Sequence, residues 1–90
     1  MKEIKIKQYI NGDTAVSYED GKKCQKDIVK YLEQCEKVNL DFYGIDYVIT
    51  AFLNPIIGDL ILKYGDEVMK RIGIKNANES IIKKIKLVKD

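Results

Sequence analysis

SYEDGKKCQKDIVKYLEQCEKVNLDF, residues 17–42, reads as a helix and a strand set almost end to end. Ser17 stands where a helix N-cap is wanted. Glu19 and Asp20 place negative charge in the first turn, where the partly positive end of a helix favours it. Cys24, Ile28, Tyr31, Leu32 and Cys35 then recur at helical spacing, while Lys22, Lys23, Lys26, Asp27, Lys30 and Glu33 take the other faces. The spacing predicts a helix over 18–35. Val38, Leu40 and Phe42 follow, alternating with Asn39 and Asp41, which is the period of a strand with one buried face.

A strand upstream completes the unit. Ile4 and Ile6 alternate with Lys5 and Lys7, so residues 3–10 read as a strand, expected to lie parallel and next to 38–42. Asn11-Gly12 marks a turn, and Thr14, Ala15 and Val16 suggest a short hairpin strand returning from it. Downstream, Tyr43-Gly44 ends the central strand. The apolar stretch from Ile45 to Tyr64 is interrupted by Asn54, Pro55 and Gly58. A helix must cover 56–64. It starts either at Asn54, with Pro55 in the first helical position, or at a Thr50 cap, with Pro55 bending it one turn in. Ile56, Ile57, Leu60, Ile61 and Leu62 make it apolar on most faces, so deep packing against the sheet is expected. Gly65 suits its end. Residues 66–72 read as a short helix and 72–77 as a third parallel strand. Asn78 or Ser80 then caps a last helix, with Ile81, Ile82, Ile85 and Val88 facing inward and Lys83, Lys84, Lys86 and Lys89 facing water. Strands alternating with helices predict an α/β fold: one domain over 1–90, a small, mostly parallel sheet with helices packed on it.

Composition narrows function. A hydrophobic fraction of 46% against 33% charged residues is that of a globular chain rather than a disordered one. No apolar run reaches membrane-spanning length, and the first ten residues alternate rather than form a secretory core, so a cytoplasmic location is expected. A formal charge of +2 does not demand a polyanionic partner. Arg71 is the sole arginine, where specific nucleic-acid readers lean on that residue. The absence of histidine removes Ser–His and Cys–His catalysis and His-ligated zinc. Cys24 and Cys35 share a helix face about 16 Å apart, too far for a disulfide, and read as two core thiols. No metal or cofactor is expected, and no Gly-rich phosphate loop is present.

The segment from Val38 to Asn54, VNLDFYGIDYVITAFLN, resembles the signature of the STAS-like domain family: a strand ending in L-D-F-x-G, a short link, and a Ser/Thr-containing turn into a helix. Ile74-Lys75-Asn76-Ala77-Asn78 followed by Glu79 is similar to the family's last strand and helix start. Val16-Ser17-Tyr18-Glu19-Asp20-Gly21 is similar to the start of its first helix. The family resembles the anti-sigma-factor antagonists, in which a serine or threonine at the start of this helix is phosphorylated by a kinase-related ATPase. The resemblance implies a regulatory module of partner-switching type, with a histidine-kinase-like ATPase as the partner class. The antagonists' phosphoacceptor position falls on Ala51 here, with Thr50 beside it and Ile49 where they carry an acid. Thr50 is the candidate phosphoacceptor.

In open α/β sheets, functional groups gather beyond the carboxyl ends of the strands. Asp41 is the strand-end acid. Tyr43, Asp46, Tyr47, Thr50, Ala51, Phe52 and Asn54 are the candidate partner-binding residues, with Tyr43 and Tyr47 beside Phe52 forming an aromatic docking surface. Asp41 and Asp46 as an acid/base pair lack an oxyanion hole or metal set, so no catalysis is expected. The alternatives are a nucleic-acid accessory domain using the lysine face of the last helix, and a small ligand-sensing domain.

Overall fold

The computed structural model describes residues 1–34 and 36–89. Three parallel strands form the main sheet: β1 (Lys2–Lys5), β3 (Val38–Asp41) and β5 (Ile72–Lys75), with β3 in the centre. Their register sets Ile4, Leu40 and Ile74 in one row and Lys5, Asp41 and Lys75 in the next. Successive strand residues point to opposite faces. Ile4, Val38, Leu40 and Ile72 therefore share a buried face, and Glu3, Asn39, Lys5, Asp41 and Lys75 lie on the other. The expected parallel pairing of the first strand with the central one is present, and the third strand joins on the far side. The fold is α/β, with mixed helices and small parallel sheets, as the residue pattern predicts.

Helix α1 (Tyr18–Glu33) starts as its sequence requires: the Asp20 N–H donates to Ser17 Oγ at 3.2 Å. Cys24, Ile28 and Leu32 are buried along its stripe. Arg71, the lone arginine, donates to the carbonyls of Leu32 (2.5 Å), in the last turn of α1, and Glu36 (3.3 Å), beyond its end. Cys35, read as a second core thiol, lies outside the described residues.

Several elements differ from expectation. The first strand stops at Lys5, and Ile6–Tyr9 forms a 3₁₀ turn. Its Tyr9 hydroxyl donates to the Asp27 carboxylate, tying the turn to α1. Burial, followed by this bond, holds the Tyr9 phenol well above its ordinary range. The predicted hairpin is absent. β2 (Thr14–Ala15) pairs instead, in parallel, with β4 (Tyr47–Val48), a strand too short to show any period. The third strand ends at Lys75 because Asn76 turns to a positive φ of 57°.

The apolar stretch forms α2 (Thr50–Leu53), a π-turn (Asn54–Gly58) and α3 (Asp59–Tyr64), following one another without a break. Neither Asn54 nor Thr50 is the cap. Ile49 holds that position with no side-chain bond, and Thr50 is the first helical residue. Pro55 has no N–H to give the helical ladder, and the helix accommodates it by widening. Gln25 of α1 donates to the Pro55 carbonyl at 2.7 Å. Gly21 lets α1 approach this closely: a Cβ there would lie 2.6 Å from Phe52 O and 2.7 Å from Pro55 Cγ. Ile56, Ile57 and Leu60 are buried as expected, but Leu62 is 86% exposed, because the apolar run is wider than the face that packs.

The predicted helix after Gly65 is a 3₁₀ turn, Asp66–Lys70. α4 (Glu79–Lys89) is capped by Asn78, whose Oδ1 accepts from the Ile81 N–H at 2.9 Å. Ile81 and Ile85 are buried and Val88 packs against the core, but Ile82 is exposed. No helix among the described residues is long and apolar enough to cross a membrane.

Candidate functional site

Segment 46–49 is fastened on two sides before the helix begins. On one side, the Asp46 N–H donates to Asp13 O at 2.8 Å and the Ile49 N–H to Ala15 O at 3.0 Å. On the other, Asn78 donates from its side chain to Asp46 O (3.1 Å), and Lys84 Nζ to Val48 O (2.6 Å). The Lys84 ammonium also stands 3.7 Å from the centre of the Tyr47 ring, at cation–π range. Lys84 is thus part-buried against β4 instead of facing water, which removes one member of the proposed lysine face. Lys83, Lys86 and Lys89 remain exposed.

Thr50 and Asn54 are exposed one helical turn apart, and Ala51 is half-buried. Asp46 is exposed and Tyr47 is 46% exposed. Phe52 is fully buried in the core, so it is not part of an aromatic surface; the exposed rings are Tyr43 and Tyr47. These two rings have different surroundings. Tyr47 lies against α4, whereas Tyr43 lines a hollow with Asp41, Asn76, Lys5 and Lys7. Asn54 opens to a third region, a groove with Gly58, Asp59 and Val88.

Asp41 anchors the hollow. Its Oδ1 accepts from the Asn76 side-chain amide and from the Tyr43 N–H, each at 2.9 Å. These bonds favour the ionised form and hold the carboxyl below its ordinary value, the Asn76 bond contributing most. Lys75 sits beside it in register but pairs with Glu3 at 2.7 Å. No group of three His, Cys, Asp or Glu among the described residues is placed to hold a metal.

Sequence reasoning missed Lys5, Lys7 and Asn76 as neighbours of Asp41. Asn76 carried a usable signal, since asparagine is among the residues that most readily adopt positive φ and so end strands. It also missed Asn78 and Lys84 as supports of the turn, for which local sequence holds no signal.

A family model described as a STAS-like domain of unknown function matches residues 20–81. No curated protein and no solved structure matches the chain.

Proposed function

Because the chain belongs to the family of STAS-like domains of unknown function, we propose that it is a non-catalytic docking module of partner-switching type, whose partner is a histidine-kinase-like ATPase and whose contact surface is the turn 46–54. The observation that carries this reading is Thr50: an exposed hydroxyl on the first residue of a helix, on a backbone held from both sides. A negative charge at that position is compatible with the fold, because a helix N-terminus favours it by about 0.3–1 kcal/mol. The same charge adds desolvation cost and repulsion to a partner complex that presents acidic groups. Phosphorylation of Thr50 would then release the partner without unfolding the domain.

The test compares wild type, Thr50→Glu and Thr50→Ala for melting temperature and for affinity toward the ATPase recovered with the protein from native lysate. Thr50→Glu should melt within a few degrees of wild type and bind more weakly, and Thr50→Ala should bind at least as well as wild type. Unchanged affinity in Thr50→Glu removes the turn from the interface. Loss of fold in Thr50→Glu makes Thr50 a structural residue.

A further inference from the structure

The carboxyl ends of the three parallel strands border a hollow of about 440 Å³, lined by Lys5, Lys7, Asp41, Tyr43 and Asn76. That size lies within the range of small-molecule sites. Two ammonium groups there have no carboxylate at ion-pair distance: neither Lys5 nor Lys7 forms an ion pair among the described residues, although the Lys5 charge helps hold Asp41 ionised, whereas Lys75 is taken by Glu3. Lys7 Nζ lies 2.9 Å from where a Cβ on Gly44 would stand, so its charge rests over the turn that follows Tyr43. Asp41 commits only Oδ1 to the protein, and Oδ2 accepts no hydrogen bond among the described residues. The Tyr43 ring is 74% exposed.

Two cations outside any ion pair and one carboxylate oxygen outside any hydrogen bond among the described residues make a mixed recognition set. A bare inorganic anion would meet the lysines but be repelled by Asp41. A ligand that carries hydroxyl donors a few ångströms from an anionic group uses both, and its carbon skeleton can lie against the Tyr43 ring. We propose that this hollow binds a small phosphorylated polyol or sugar, with the phosphate on Lys5 and Lys7 and a hydroxyl donating to Asp41 Oδ2. The proposal does not depend on the turn 46–54 or on a partner protein.

The test is amide chemical-shift mapping of the full chain titrated with ribose 5-phosphate, inorganic phosphate and ribose. Ribose 5-phosphate should shift Lys7, Tyr43, Gly44 and Asn76 saturably and bind at least tenfold more tightly than either fragment. Lys5→Gln combined with Lys7→Gln should weaken it at least tenfold. Both lysines are exposed, so the fold is kept, and the unliganded spectrum verifies this. Asp41→Asn retains an acceptor for the Tyr43 and Asn76 bonds while replacing the free oxygen with a donor and removing the charge that repels a bare anion, so it should abolish the difference in affinity between ribose 5-phosphate and inorganic phosphate. Absence of saturable shifts, shifts centred on other residues, equal binding by inorganic phosphate, or insensitivity to the lysine pair would each overturn the proposal.

Discussion

Replacing Gly21 with alanine sets two effects of known sign against each other. Alanine is the better helix former, by about 1 kcal/mol. Its methyl group, however, would lie 2.6 Å from Phe52 O and 2.7 Å from Pro55 Cγ, where ordinary contact begins near 3.4 Å. The helices must therefore part by about 0.8 Å, the difference between 3.4 and 2.6 Å. Overpacking of this kind costs about 1–3 kcal/mol, and the upper end applies because neither a backbone carbonyl nor a proline ring can swing aside. Parting also lengthens the Gln25 bond to Pro55 O. Net of propensity, Gly21→Ala should destabilise by about 2 kcal/mol, which for a domain of this length lowers the melting temperature by about 8–16 °C. Urea denaturation followed by circular dichroism measures it, with Lys23→Ala on the exposed face of the same helix as a control expected within about 0.5 kcal/mol of wild type. A Gly21→Ala midpoint equal to or above wild type, at unchanged slope, would refute the close approach of α1 to the π-turn.

Lys84→Ala should cost about 1–2 kcal/mol, through the lost bond to Val48 O and the lost cation over Tyr47, whereas Lys83→Ala should cost almost nothing; equal melting temperatures for the two variants would mean that Lys84 is solvated. The Asp41 carboxyl is held below its ordinary value, so its contribution to stability is present above about pH 4 and fades as pH falls through the lower folded value. The gap in melting temperature between wild type and Asp41→Ala should therefore close below about pH 4, and a gap that stays constant there assigns the effect to packing instead of charge. Burial, with the Asp27 charge adding to it, pushes the Cys24 thiol up to about 12. Native protein should leave Cys24 unlabelled by a thiol reagent near pH 8, and prompt labelling mapped to that residue would contradict its place in the core. The same raised value makes its contribution to stability complete below the ordinary thiol range and lost as pH rises toward 12.

Where a residue's role depends on its immediate neighbours, the sequence alone was enough. Ser17 caps α1 because its hydroxyl reaches an amide three residues on. Gly65 ends α3 and Asn78 caps α4 through contacts equally local. Val38, Leu40 and Phe42 announce a buried strand face by alternation, and the short link from α1 makes the parallel neighbour of β1 the only economical arrangement. Of the candidate site, Asp41 at the strand end and the exposure of Tyr43 and Tyr47 were legible in the sequence.

Tertiary structure decided what depends on a distant partner. Thr14 faces Tyr47 across 33 positions of sequence, and two-residue strands have no period by which to announce themselves. Phe52 and Leu62 are both large and apolar within one helical run, yet one is fully buried and the other exposed, because α1 and α4 pack on the α2 end of the run, which carries Phe52. Pro55 allowed either a helix start or a bend; the widened turn that resolved it is held by Gln25, a residue thirty positions away. Lys84 reads like its neighbours Lys83 and Lys86, and only the position of β4 turns its ammonium inward onto a carbonyl and a ring. Local hydrogen bonds and hydrophobic period are written in adjacent residues, whereas the direction of one lysine and the meeting of Lys5, Lys7, Asp41, Tyr43 and Asn76 at one hollow exist only after three separate strands have aligned.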